Sequence, residues 1–303
     1  MTRQAPQRQK AWELARWLCR PSVVTRVLNA HQIRPSPSMG QHFLVNPTFL
    51  DRIVEAADLR ETDWVFEVGT GLGCLTAAAA SVAQKVVSIE KDRRLYQIAR
   101  AILQHIPGVE LRHADALKVN WGAILNDKPP QRWIFLSNLP YSVSKAILER
   151  LLDNADLFGR AVITVQREVG FRMVASAGSP DYGLLSVMVA LKSRPTVVAR
   201  IPPTAFFPRP QVWSVVVRLD FEAERLIAKE EEDYFFLAAQ AALSYRRKTL
   251  ANALLSGLGW DPEDIQALLS SAGLNPKRRG ETLTLEEIVA LSRAFKERSV
   301  RSR

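Results

Sequence analysis

The chain has 303 residues, 47% hydrophobic and 24% charged, with 41 Lys and Arg against 31 Asp and Glu for a formal charge of +10. That length exceeds the usual size of one compact domain, and that composition excludes a globally disordered chain. Two cysteines and four scattered histidines argue against a disulfide framework or a zinc site, and no apolar run is long enough for a membrane span.

The basic excess favours a polyanionic partner such as RNA, although charge alone leaves an ordinary basic protein equally open. Reduced thiols fit a cytoplasmic protein. The first stretch carries Arg3, Arg8, Lys10, Arg16, Arg20, Arg26 and Arg34, with Glu13 as the sole acid before Asp51. This pattern fits an organelle transit peptide. Trp12, Leu14, Trp17 and Leu18 lie among those charges, and Val23, Val24, Val27 and Leu28 follow at helical spacing. An amphipathic helix lying on RNA or on the protein's own body fits equally well. Next, Ser38-Met39-Gly40-Gln41-His42-Phe43-Leu44 could fold over a cofactor or simply turn before a helix.

From Asp63 the pattern alternates. Strands are expected at 64–68, 85–89, 109–112, 133–136 and 161–165, and helices at 74–82, 93–104 and 144–152. Alternation at this spacing predicts an α/β fold, a mostly parallel sheet with helices on both faces, whose ligands bind at the carboxyl ends of the strands. Residues 182–191 and 196–201 read as further sheet-associated segments, and 212–219 as a closing strand. Charged residues 222–233 mark a composition shift. Beyond it, 234–255, 262–272 and 285–295 read as helices. The expected organisation is a basic extension over 1–20, a ligand-binding domain over 21–221 and a helical domain over 222–303.

The chemistry-bearing residues fall at the strand ends. Glu67-Val68-Gly69-Thr70-Gly71-Leu72-Gly73 follows a strand and opens a helix, where glycines let the backbone pass close to a ligand. Glu90 closes the next strand, where a carboxylate can take both ribose hydroxyls. Asp115 follows the third strand and can accept from an adenine amino group. The loop lacks the Gly-x-Gly-x-x-Gly pyrophosphate cradle, so this acid pattern suits S-adenosylmethionine better than NAD. An NAD oxidoreductase would also lack an evident catalytic His or Tyr-Lys pair.

Asn138-Leu139-Pro140-Tyr141 ends the fourth strand. The Asn138 side-chain oxygen and the Leu139 carbonyl can both accept from an exocyclic amine, Pro140 stiffens the turn, and Tyr141 can stack on the base carrying that amine. Phe206 is the candidate for the opposite face of the base, or else packs with Phe207 against the sheet. Arg246, Arg247, Lys248, Lys277, Arg278 and Arg279 form two basic clusters suited to phosphate contact.

With Gly40 to Leu44, Glu67 to Gly73, Glu90, Asp115 and Asn138 to Tyr141 in this order, the chain resembles the ribosomal RNA adenine N6-dimethyltransferases, and more narrowly the kasugamycin-resistance branch acting on 16S rRNA. The likeness continues through Gln166 to Val169, Tyr182 to Val187, Pro203 to Val212, Tyr245 to Leu250 and Arg279 to Leu283. It covers about residues 21–291. His42 stands where an Asn is usual, Thr70 where a Pro is common, and Trp213 where an Asp is usual. His42 is also frequent in the 23S-methylating relatives.

The resemblance implies a Rossmann-like class I methyltransferase sheet of seven strands and a small all-helical domain for docking on the small ribosomal subunit. It implies donor contacts at His42, Leu44, Gly69, Glu90, Asp115 and Asn138, with Gln41 and Gly71 close by. S-adenosylmethionine is the expected cofactor, S-adenosylhomocysteine the product, and no metal is expected. The expected partner is 16S rRNA in the small subunit or its precursor, met by a cytoplasmic monomer. A 23S adenine methyltransferase and a ribosome-assembly factor with a vestigial site are the rival readings.

Overall fold

The computed structural model describes residues 5–36, 40–125, 133–221 and 226–301, so Ser38 and Met39 of the Gly-Gln segment lie outside it. The chain divides into two compact units, one of residues 1–170 with 195–221 and one of residues 171–194 with 222–303.

The first unit opens with two helices, α1 (Ala5–Leu18) and α2 (Pro21–Ala30). A short strand β1 (Phe43–Leu44) and α3 (Pro47–Ala57) follow. The alternating region supplies β2 (Trp64–Val68), α4 (Cys74–Ala80), β3 (Lys85–Glu90), α5 (Arg93–Leu103) and β4 (Val109–His113). It continues with α6 (Trp121–Ile124), β5 (Trp133–Asn138), α7 (Ser144–Asp153), β6 (Phe158–Gln166) and α8 (Arg167–Met173). The strand order is β4-β3-β2-β5-β6-β9-β7, with β7 (Ser193–Ile201) and β9 (Ser214–Phe221) closing one side. The β2–β3, β2–β5, β3–β4 and β5–β6 pairs are parallel, and β6–β9 is antiparallel. The succession of strands therefore runs one way from β2 to β4 and the other way from β5 onward, and the crevice at the carboxyl ends of β2 and β5 is where such sheets bind ligands.

Strand alternation gives the sheet two apolar faces. On one, Phe66, Trp121, Phe135 and Phe158 are all fully buried and pack edge-to-face or stacked. On the other, Val65, Ile134, Leu136, Val162 and Val216 meet the alanine-rich α4 together with Leu50, Ile53 and Ala15. Ala15 belongs to α1, and Arg8 and Arg16 pair with Glu61 at 2.5 Å and Asp51 at 3.0 Å. Of the three readings of the N-terminal stretch, packing on the protein's own body is the one the fold displays. A second ribbon pairs β1 with β8 (Phe206–Phe207), antiparallel, setting Leu44 opposite Phe206.

The second unit contains α9 (Leu184–Lys192), α10 (Glu232–Leu243), α11 (Leu250–Leu258), α12 (Pro262–Ser271) and α13 (Leu285–Arg301). Two expectations change here. The segment 182–191, expected beside the sheet, is mostly helical, because Val187 and Leu191 bury against Phe235, Leu254 and Leu268 of the helical core. Its uniform apolar run carried no period to separate strand from helix. The single helix expected over 234–255 breaks into two, since Thr249 caps α11 by accepting from the Asn252 N–H. The basic residues 246–248 lie in that break.

Candidate active site

The cavity at the sheet's switch point has a volume of about 230 Å³. Its wall includes Gln41, His42, Leu44, Gly69, Gly71, Glu90, Asp115 and Asn138, all of the residues expected to meet a donor. Leu139 and Pro140 line it too.

Each is placed by a local cause. Gly71 has φ +57°, and its N–H donates to Glu90 Oε2 at 2.9 Å, so the glycine loop folds back onto the end of β3. Glu90 Oε1 accepts from the Asp92 N–H at 2.8 Å. Burial raises the Glu90 carboxyl above its ordinary range, and these backbone donors partly oppose the rise. Burial also works against ionisation of Asp115, but Lys91 Nζ at 2.9 Å and the Leu117 N–H at 3.0 Å outweigh it and hold that carboxyl low. Asp115 is therefore a ready acceptor.

Asn138 lines the cavity, and its Nδ2 donates to the His42 carbonyl at 2.9 Å, so Oδ1 is the group of the amide left to accept. The Leu139 N–H donates to the Thr164 carbonyl at 3.1 Å, pinning the turn. Gly40 is required at its place, with φ +62°, since a Cβ there would stand 2.6 Å from the Ser142 nitrogen. The Gly-Gln segment is thereby laid against Tyr141-Ser142.

Tyr141 is held on two sides. Its ring lies 4.9 Å from the His42 ring, and its hydroxyl hydrogen-bonds Ser214 Oγ. His42 Nδ1 lies 2.7 Å from the Pro208 carbonyl oxygen. Phe206 is only 3% exposed and sits in the apolar cluster with Leu44 and Ala205. Of the two readings open for it, packing is the one the fold displays.

Glu67, quoted in the glycine motif but given no role, is a further member of the cavity wall. It is 1% exposed, accepts from Thr76 Oγ1 at 2.5 Å, and its Oε1 is buried without a partner. Burial pushes its carboxyl up to about 8. An acid in the middle of an apolar strand is the signal that could have marked it. Trp213 is 48% exposed and precedes Ser214, the partner of the Tyr141 hydroxyl.

The basic clusters behave differently. Arg278 forks onto Glu287 and donates to the Thr282 carbonyl, and its guanidinium is pushed up by that carboxylate. Arg246 reaches Glu281 at 3.1 Å and the Pro180 carbonyl at 2.6 Å. Lys248 bonds Ser256 and lies over the Tyr245 ring. Arg247, Lys277 and Arg279 are exposed, Arg279 with Glu281 3.9 Å away. No group of three or more His, Cys, Asp or Glu is arranged to hold a metal, and no helix is long and apolar enough to cross a membrane, among the described residues.

The family model described as ribosomal RNA adenine dimethylase matches residues 31–297. The chain belongs to this family. Among its relatives, the ribosomal RNA small subunit methyltransferase A of Pelotomaculum thermopropionicum is 41% identical, over 91% of this chain and 96% of that protein. The protein of the same name from Geobacter metallireducens is 40% identical, over 87% and 96%. Among solved structures, a dimethyladenosine transferase from Plasmodium falciparum superposes with TM-score 0.72 at 26% identity, over 84% of this chain and 97% of that one. The 23S rRNA methyltransferase ErmE superposes with TM-score 0.65, also at 26% identity, over 84% and 99%. The seven-stranded, mostly parallel sheet is the Rossmann-like class I methyltransferase sheet that was expected, and the chain is a methyltransferase of the adenine dimethylase type.

Proposed function

We propose that this protein transfers two methyl groups from S-adenosylmethionine to the N6 amine of each of two adjacent adenines in the 16S rRNA of the small ribosomal subunit. The observation that carries this reading is that Asn138, its amide nitrogen held by the His42 carbonyl, lines one cavity with the glycine loop, Glu90 and Asp115.

The residues present fit the donor. Asp115 would accept from the adenine amine of the donor, Glu90 from its ribose hydroxyls, and the glycine loop with the unpartnered Glu67 Oε1 would meet its methionine half. Bound there, the donor supplies an electrophilic methyl on a sulfonium. The chain's own residues do the rest. Adenine N6 is a weak nucleophile because its lone pair is delocalised into the ring. Accepting both N–H hydrogens, at Asn138 Oδ1 and the Leu139 carbonyl, favours a pyramidal nitrogen whose lone pair is directed at the methyl. Positioning in a dry site provides the acceleration. No general base is needed, since the methylated nitrogen is acidic until it sheds its proton.

The target base must leave its stack to enter. Tyr141 would hold one face of it, with its ring fixed by His42 and its hydroxyl by Ser214. Pro140 stiffens the turn that presents both acceptors. Arg247, Lys277 and Arg279 would contact phosphate, with Arg246, Lys248 and Arg278 shaping that surface. The division of labour follows: the unit of residues 1–170 with 195–221 binds donor and base, and the unit of residues 171–194 with 222–303 docks on RNA. The protein would act as a monomer in the cytoplasm, where the subunits are.

Action on 23S rRNA is the second reading, favoured by the ErmE superposition; relatives at 36–41% identity favour the small subunit. Methylation in vitro of isolated small and large subunits lacking the modification, followed by mass mapping of the RNA, tests both. Dimethyladenine confined to the small subunit is expected. Transfer only to the large subunit, or to neither, overturns the proposal.

A further inference from the structure

The family match begins at residue 31, and the motifs give the first 20 residues no role. In the fold, the end of α1 is nonetheless part of the cavity. Leu18 is 1% exposed and lines the same space as Glu67, Gly69 and Asn138. Cys19 Sγ donates to the Leu44 carbonyl at 3.4 Å, and Cys74 Sγ donates to the Ala15 carbonyl at 3.5 Å. The Cys19 N–H reaches the same Ala15 oxygen at 3.0 Å. Leu44 and Cys74 are themselves on the cavity wall, so each thiol ties α1 to a piece of that wall. Arg16 adds an ion pair to Asp51 of α3, two residues before Ile53, another lining residue.

The strand order β4-β3-β2 sets the groups that follow those strands in a row. Asp115 marks the end suited to an adenine and Glu90 the place suited to a ribose. The glycine loop comes next. The wall also includes Leu44, Ile53, Cys74, Leu75 and Leu18, all apolar, and Cys74 directly follows the loop. An aliphatic chain is the chemistry such a wall accepts.

Resting on the donor assignment above, we propose that Leu18 is a ligand-binding residue that packs against the methionine half of the donor, and that α1, outside the matched family region, sets donor affinity. Leu18 presents its side chain because the Ala15–Cys74 and Cys19–Leu44 contacts fix the helix end on both sides of it.

Calorimetry on the full chain tests this with two probes, S-adenosylhomocysteine and adenosine. Leu18→Ala is expected to weaken S-adenosylhomocysteine about tenfold, consistent with loss of part of one aliphatic contact. Leu18→Trp, which fills the space, weakens it further, and Leu18→Met restores it to within about twofold. Adenosine binds all of them alike. Equal losses for both probes would mean a structural role only and overturn the inference. Unchanged S-adenosylhomocysteine affinity in Leu18→Ala and Leu18→Trp would overturn it as well. A wild-type chain that binds adenosine and S-adenosylhomocysteine equally, or neither, instead overturns the donor assignment on which it rests. Should Leu18→Ala melt below the assay temperature, Leu18→Val carries the same comparison.

Discussion

The cavity of the sheet unit and the basic clusters of the helical unit were both read from short motifs, and the fold treats them differently. Every expected donor contact lies on one wall, although Gln41, Gly69, Glu90, Asp115 and Asn138 come from separate segments. Of six basic residues expected at phosphate, Arg246 and Arg278 are engaged with Glu281 and Glu287 of their own unit. A concave site at strand ends has only one place to be, so motifs that belong to it converge. A surface cation has several possible partners, and the neighbouring carboxylate competes with any phosphate.

The largest test of that contrast is Asn138→Ala. It should lower methyl transfer by on the order of 10²–10³-fold while the melting temperature stays near wild type, measured by methyl incorporation and thermal unfolding. Near-normal turnover would remove the cavity from its place in the comparison. Next, Tyr141→Ala should cost roughly tenfold in activity, from about 1–3 kcal/mol of base stacking. Tyr141→Phe should cost much less, as it loses only the Ser214 bond. Equal losses would count against stacking.

Glu67 sharpens the cavity side through pH. Its carboxyl rises on folding from an ordinary 4.5 to about 8. The folded state therefore holds a proton that the unfolded chain releases, and its contribution favours the fold below pH 4.5 and fades as pH climbs through about 8. The ligand-free protein should melt progressively lower between those values, and Glu67→Gln should flatten the trend. A melting profile unaltered by that substitution would contradict the assignment.

The smallest effects fall on the helical unit. Removing exposed charge with Arg247→Ala and Lys277→Ala should weaken RNA binding several-fold and shallow its salt dependence, with stability unchanged. Arg278→Ala should lower stability by about 1 kcal/mol, because its forked pair is only partly solvent-screened. The reverse pattern, with Arg278 governing salt dependence and Arg247 governing stability, would erase the contrast between the two regions.

Much of this was legible in one dimension. The strands expected at 64–68, 85–89 and 133–136 announce themselves by apolar runs, and the site residues follow at their ends. What was not legible depended on neighbours distant in sequence. The segment 182–191 reads as sheet-associated until Phe235 and Leu268 are beside it. Phe206 could stack on a base or pack until β8 pairs with β1 and sets it against Leu44. Glu67 looked like a motif acid, and only enclosure by the sheet gives it an unpartnered oxygen and a raised pKa.

The sequence by itself determined the alternating α/β pattern, the glycine loop, the two acids after it and the Asn-Leu-Pro-Tyr turn, because periodicity and turn chemistry are local properties of the chain. Only the tertiary structure decided that Leu18 of α1 joins the cavity wall, that the His42 carbonyl holds the Asn138 amide nitrogen, and which cations face their own carboxylates. Those outcomes depend on burial and on hydrogen-bond partners far away in sequence, and local residue order does not specify either.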